Sequence, residues 1–276
     1  QEINAKLAAG KAIVLTGEEV AKMSKEASPK EIAKKVDVVT TATFGAMCSS
    51  GFFINFGHSD PPIRMEEISL DGVPACAGLA AVDAYMGATE VHRENPRFGG
   101  AHVLERLISG QEVHLIASGK GTDCYPRREI DTWIHRDRVN EIIVTNPRNA
   151  YQNYPAATNS TKKALYTYMG TLLPNKLNVN YSTSGCLSPL LNDPYLRTIG
   201  IGSPVFFAGA HGHVAWQGTQ FTTAKARSER GIPESNAATL MLMGDARQMD
   251  RRWLRAAYFH NYGVSLYVGV GKIGRA

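Results

Sequence analysis

The sequence predicts an α/β fold: a mixed or mostly parallel sheet with flanking helices, glycine-rich loops and an additional β-rich C-terminal part. Three observations carry this. Segments of helical and strand periodicity alternate along the first half of the chain. Glycine, at 26 of 276 residues, marks many tight loops. The last third is rich in glycine and aromatic residues, with apolar runs separated by glycine turns.

The elements follow in order. An amphipathic helix is expected over 2–9 and a short strand over 12–15, after which Thr16-Gly17-Glu18-Glu19 starts a helix running to Lys25. Ser28-Pro29-Lys30-Glu31 is a stronger start, with an N-cap serine, proline at the first helical position and glutamate at the third. Its helix should end near Lys35, before an apolar strand over 36–44. Small residues over 77–85 read as a second helical segment that packs closely. Gly99-Gly100 precedes a helix over 102–109 that Gly110 closes. Strands are expected over 113–117, 141–145, 204–216 and 262–270, with a further apolar run over 177–181. No repeat or low-complexity linker appears, so residues 1–276 read as one domain, truncated at both ends, with no further module in the chain.

A chain this long should bury about three quarters of its unfolded surface. Its 43% hydrophobic and 20% charged residues are ordinary for a globular protein. The net charge of +5 is mild and no basic run interleaved with aromatics occurs, which disfavours nucleic acid and fits a small anionic substrate. No apolar stretch of membrane-spanning length and no signal peptide is found. Four cysteines without a short-spaced framework point to a reducing cytoplasm.

Three of those cysteines follow strand-like runs and sit beside glycine and serine. They are Cys48 in Met47-Cys48-Ser49-Ser50-Gly51, Cys124 in Gly121-Thr122-Asp123-Cys124-Tyr125-Pro126, and Cys186 after Ser182-Thr183-Ser184-Gly185. Loops after the carboxyl ends of strands hold the ligands of open α/β proteins, so the strands ending near Phe44, Ala117 and Tyr181 should share a sheet and bring the thiols to one site. Nucleophilic sulfur must be thiolate, which backbone N–H groups of Ser49-Ser50-Gly51 or the guanidinium groups of Arg127-Arg128 would favour. Cys76, among Val73, Pro74, Ala75 and Ala77, reads instead as packing inside an apolar helix contact.

The common motifs are missing: no CxxC, no HExxH, no Walker-type loop and no G-x-S-x-G. Gly200-Ile201-Gly202 and Gly269-Val270-Gly271 lack the third glycine and the acid of a dinucleotide site, so no nucleotide cofactor is expected. His211-Gly212-His213 has metal-compatible spacing, but no nearby acid or thiol completes a shell. Asn55-Phe56-Gly57-His58-Ser59-Asp60-Pro61-Pro62-Ile63-Arg64 offers an amide, an imidazole, a carboxylate and a guanidinium on rigid turns. Tyr181-Ser182-Thr183-Ser184-Gly185 supplies hydroxyls and N–H groups suited to an anion.

The strings Ile54-Asn55-Phe56-Gly57-His58-Ser59-Asp60-Pro61-Pro62, Gly72-Val73-Pro74-Ala75-Cys76-Ala77-Gly78, Gly121-Thr122-Asp123-Cys124-Tyr125-Pro126-Arg127, Leu187-Ser188-Pro189-Leu190-Leu191-Asn192-Asp193-Pro194-Tyr195 and Val214-Ala215-Trp216-Gln217-Gly218 resemble the homocysteine-biosynthesis family over nearly the whole chain. Its named activity is L-aspartate semialdehyde sulfurtransferase, in anaerobic prokaryotes. The resemblance implies a cytoplasmic enzyme of homocysteine and methionine biosynthesis that reductively inserts sulfide into aspartate semialdehyde. Functional cysteines are implied at Cys48 and Cys124, with Cys76 and Cys186 outside that pattern. Many members continue into paired CBS domains or work beside a ferredoxin-type protein, so a ferredoxin-type electron donor is expected, together with homo-oligomeric assembly.

The residues can be given roles on that basis. Sulfur carried as persulfide on Cys48 or Cys124 would add to the aldehyde, with His58 as proton donor for the departing oxygen. Arg64 or Arg127 would hold the substrate carboxylate and Asp60 or Asp123 its ammonium, with Asn55 and Ser184 as further polar contacts. A second chemistry holds sulfide on an iron–sulfur cluster ligated by Cys48, Cys124 and Cys186. The alternative from another class is a sulfur carrier or redox-sensing module that delivers persulfide to a partner without catalysing the insertion.

Overall fold

The computed structural model describes residues 2–40, 45–46, 49–149, 156–167, 170–178, 180–181, 197, 200–218, 226–227, 229, 240–260 and 263–272. Its N-terminal part follows the sequence closely. Strand Val14–Thr16 leads through helices Gly17–Met23 and Pro29–Lys35 to strand Val38–Thr40, which lies parallel to it. Ser28 caps the second helix as its sequence requires: its N–H donates to Glu31 Oε2 at 2.8 Å and its hydroxyl accepts from the Glu31 N–H. Buried Asp37 then ties the layer together by accepting from Lys6 Nζ at 2.8 Å and from the Ile13 N–H at 3.0 Å.

Beyond residue 40 the architecture departs from the expected parallel α/β sheet. A seven-stranded sheet runs in the order Val270–Lys272, Pro204–Phe207, Ala210–Gln217, Leu240–Asp245, Glu141–Asn149, Gly51–Asn55, Asp83–Gly87, and every neighbouring pair in it is antiparallel. A four-stranded antiparallel sheet runs Val73–Ala75, Glu67–Leu70, Val113–Ser118, Glu129–Ile134. A three-stranded one joins Leu254–Phe259, Gly263–Val268 and Gly45–Ala46. Val14–Thr16 with Val38–Thr40 is the one parallel strand pair among the described residues.

The physical reason lies in the connections. The hairpins Glu67–Leu70/Val73–Ala75, Pro204–Phe207/Ala210–Gln217 and Leu254–Phe259/Gly263–Val268 are closed by two or three residues, too few for the crossover that a parallel neighbour needs. The small-residue segment over 77–85 illustrates it. Gly78 adopts a left-handed φ of 88°, and the segment ends in strand Asp83–Gly87, burying Ala84 and Met86 on one face while Asp83, Tyr85 and Gly87 turn to the other. It is therefore not a helix. Cys76 is correspondingly exposed and is held by a backbone bridge to Tyr85, with no apolar helix around it.

The helix expected over 102–109 does form, at Gly100–Ile108. Ala101, Val103, Leu104, Leu107 and Ile108 face a core shared with Phe52, Ile54, Met86, Ile142 and Val144 of the large sheet and Leu70, Val113 and Leu115 of the smaller one. Each such leucine contributes about 1.5–3 kcal/mol by leaving water. The helix starts against the sheet because Gly99 and Gly100 carry no Cβ; a methyl group there would collide with the carbonyls of Glu90 and Gly87. Pro74 sits on an edge strand of the four-stranded sheet, where its missing N–H does little harm.

The expectation that strands ending near Phe44, Ala117 and Tyr181 share one sheet is overturned where it can be followed. Val38–Thr40, Val113–Ser118 and Asn180–Tyr181 belong to three separate sheets. Residues 41–44 lie outside the described residues.

Candidate functional site

Cys124 is carried on the hairpin between strands Val113–Ser118 and Glu129–Ile134. At its base the Gly119 N–H donates to the Arg128 carbonyl at 2.8 Å. At its tip Thr122 and Tyr125 exchange backbone hydrogen bonds of 2.9 and 3.1 Å, and the Tyr125 N–H also donates to Thr122 Oγ1. Asp123 and Cys124 are the two central residues of that turn, and both are exposed. Gly121 permits the bend, with a φ of 75° that a side chain would strain.

The hairpin is docked, not free-standing. The Arg127 N–H donates to the Pro62 carbonyl at 3.2 Å, and its Nη2 donates to the Asp60 carbonyl at 3.0 Å. The rings of His58 and Tyr125 stack with centroids 6.4 Å apart and planes 24° from parallel. Gly119 makes the approach possible, since a Cβ there would strike the Arg64 carbonyl. Two sequence segments some seventy residues apart are thus joined, bringing His58, Asp60, Arg127 and the Cys124 turn into one neighbourhood, with the exposed Arg64 on the adjoining stretch.

Asn55 has a different surrounding. Its Nδ2 donates to Asp83, and its Oδ1 accepts from the Gly57 N–H at 3.0 Å and from Asn140 Nδ2 at 2.8 Å, so the amide braces the Gly57 turn. Cys48, Ser184 and Cys186 lie outside the described residues. His211 and His213 are exposed on strand Ala210–Gln217, where partial burial and the neighbouring imidazole hold His211 below the usual histidine range. Among the described residues no three His, Cys, Asp or Glu side chains come together to hold a metal ion.

Two features had no signal in the sequence reading. Tyr125 follows Cys124 with nothing in the sequence to mark it, and it is the ring against which His58 stacks. A polar group also occupies the opposite, N-terminal end of strand Gly51–Asn55. There buried Asn146 donates to Ser50 Oγ at 2.8 Å, and Tyr85 is hydrogen-bonded to Thr145.

A family described as homocysteine biosynthesis enzymes, sulfur-incorporation, matches residues 12–273. The chain belongs to this family. It is 49% identical over 271 residues, 98% of its length, to a Methanosarcina acetivorans protein named L-aspartate semialdehyde sulfurtransferase, and it covers 52% of that protein. A Methanocaldococcus jannaschii protein of the same name is 50% identical over 280 residues, again with 98% of this chain and 52% of the relative covered. The chain therefore spans about half the length of these relatives. A Methanothermobacter thermautotrophicus protein without an assigned function is 28% identical over 264 residues, covering 92% of this chain and 57% of its own. No solved structure matches. Among the described residues no helix is long and apolar enough to cross a membrane.

Proposed function

We propose that this chain is the sulfur-inserting part of an L-aspartate semialdehyde sulfurtransferase. In the net reaction aspartate semialdehyde, hydrogen sulfide, two electrons and two protons yield homocysteine and water. Family membership supports the reaction class, and the relatives' names supply the substrate. The observation that carries the site is the exposed Cys124 on a turn braced by Arg127 and flanked by His58 and Asp60.

The roles follow from what each group offers. Cys124 presents its thiol to solvent, as acceptance of sulfur from a donor requires. Arg127 spends one nitrogen on the Asp60 carbonyl, which orients the rest of its fork toward a substrate carboxylate, with Arg64 as a second cation. Asp60 and Asp123 are the carboxylates for the substrate ammonium. His58, held flat against Tyr125, is the proton donor on this side. Cys48 is assigned as the second working thiol and Ser184 as a further substrate contact, both on the sequence argument alone.

An iron–sulfur cluster held by Cys48, Cys124 and Cys186 would store sulfide on iron. The described residues do not by themselves make such a ligand set, because two of the three thiols lie outside them. Persulfide chemistry needs the thiols together with a sulfane-sulfur donor, because sulfide becomes the outer sulfur of a persulfide only by losing two electrons. The expected setting is the cytoplasm of an anaerobe, with a ferredoxin-type electron donor and a homo-oligomeric enzyme.

Homocysteine formation from aspartate semialdehyde, sulfide and a low-potential reductant tests the reading. Anaerobically purified protein is assayed together with its iron and acid-labile sulfide content. Activity that collapses in Cys48→Ser and Cys124→Ser supports the enzyme. Persulfide transfer to a partner without homocysteine formation supports the sulfur carrier, a role that an exposed thiol on a hairpin would also serve.

A further inference from the structure

Strand Glu129–Ile134 is an open edge of the four-stranded sheet. It pairs with Val113–Ser118 on one side, without a bulge, and no described strand pairs with it on the other. Glycine, proline and lysine, which commonly guard such an edge, are missing from it. The ladder fixes which backbone groups face outward. The Gly119 N–H donates to the Arg128 carbonyl directly opposite, and the Asp71 N–H donates to the His114 carbonyl on the far side of the same central strand. Hydrogen-bonded pairs alternate along an antiparallel ladder, so Arg128, Ile130, Thr132 and Ile134 turn their N–H and C=O groups inward. Glu129, Asp131 and Trp133 turn theirs to the open edge. Side chains on one face beside this edge are apolar and exposed: Trp133, 55% exposed, stacks on His114 with ring centroids 4.8 Å apart, and Ile116 is 45% exposed. Asp131 is tied to His114 Nε2 at 2.6 Å.

A second copy can add to this edge about a two-fold axis only in a register that sets outward-turned residues against one another, so the axis passes through a residue. Charge selects the residue. An axis on Glu129 or on Asp131 sets that carboxylate against its own copy, and one on Ile130 sets Glu129 against Asp131. Axes on Trp133 and Ile134 set Glu129 and Asp131, respectively, against Asp137. An axis on Thr132 sets Trp133 opposite Asp131, Ile130 opposite Ile134 and Glu129 opposite His135, with no like charges facing within the strand. Past the strand ends Arg128 meets Arg136, whose guanidinium is already drawn to the Ile108 carbonyl at 2.6 Å.

We propose that this edge joins two copies of the chain into a dimer, with Thr132 on the two-fold axis and the two four-stranded sheets continued as one. Asp131 and Trp133 of each copy exchange backbone hydrogen bonds with Trp133 and Asp131 of the other, and Trp133 and Ile116 cover the join. The two Cys124 hairpins leave the join at opposite ends. The pairing follows from backbone and charge at the edge, so it holds or fails separately from the sulfurtransferase reading.

Sedimentation velocity of the whole chain over a range of concentrations should show a species of twice the chain mass. Thr132→Cys reads the register directly. Residues on the axis form a non-hydrogen-bonded pair with Cα atoms about 4.5 Å apart, inside disulfide range. Mild oxidation should therefore join two chains through the introduced thiols, a link that peptide mass spectrometry distinguishes from any made by the native cysteines. Glu129→Cys, six residues out of step with its counterpart and so about 20 Å from it, should give no such link. Trp133→Glu sets a second carboxylate against Asp131 and should sediment as a monomer with wild-type circular dichroism. A wild-type chain that stays monomeric overturns the proposal. So does a dimer that Trp133→Glu leaves intact and Thr132→Cys fails to cross-link.

Discussion

Cys124 and Cys76 show how much a single residue's meaning depends on its backbone. Both are exposed, but Cys124 tops a turn buttressed by Arg127, and Cys76 is fixed to Tyr85 by two backbone hydrogen bonds. Cys124→Ser should leave unfolding unchanged and cut homocysteine formation by orders of magnitude, because a hydroxyl at ordinary pH is a poor nucleophile. Cys76→Ser should shift stability by no more than about 0.5 kcal/mol, as exposed substitutions do, in place of the larger cost an apolar helix contact would impose. Denaturant titration of the two variants separates these outcomes. Arg127→Lys keeps the charge but loses the planar fork held at the Asp60 carbonyl. It should raise KM for aspartate semialdehyde about tenfold with little change in kcat, the mark of weakened ground-state binding.

Helix Gly100–Ile108 packs into a core shared by the seven-, four- and three-stranded sheets. Leu107 within it is fully buried, so Leu107→Ala should cost about 2–5 kcal/mol in urea unfolding. The start of the helix also carries a pH dependence. His102 Nδ1 accepts from the Gly99 N–H at 3.3 Å, and burial pulls its pKa below the usual histidine range. The folded protein therefore resists protonation there. As pH falls through the ordinary histidine value the unfolded chain takes up the proton first, and stability declines until the lowered folded-state pKa is reached. His102→Gln keeps an acceptor without titrating and should flatten the decline. His211 is shifted the same way, so a residual slope should remain. Unfolding midpoints between neutral pH and about pH 5 measure both effects.

At the scale of the molecule, one apolar cluster runs through the seven-stranded sheet, the four-stranded sheet and the helix between them. A shared core predicts shared unfolding. Leu242→Ala in the larger sheet and Leu115→Ala in the smaller should each lower a single cooperative transition, read identically by far-UV circular dichroism and tryptophan fluorescence. Two separated transitions would mean that the sheets are independent units. Docking of the hairpin on residues 58–64, which brings the Cys124 turn beside His58, belongs to this scale as well.

Local chemistry was legible in the chain alone. Ser28-Pro29-Lys30-Glu31 caps its helix as written, Gly110 stops the helix before it, and the strands near 113–117 and 141–145 lie where β-branched and apolar runs put them. The family resemblance was legible for the same reason, being carried by contiguous strings. Strand direction was not. A short run of small and apolar residues does not distinguish a strand from a buried helix segment, and a strand's own sequence does not name its partner, so the pattern around 77–85 could pass for a helix and the sheet for a parallel one, until pairing assigned Ala84 and Met86 to the core face and Tyr85 to the other. The meeting of His58 with Tyr125, and of Tyr85 with Gly51, joins residues tens of positions apart. Only tertiary structure decides such contacts, because register and docking between strands, and not local propensity, determine which distant side chains share a face.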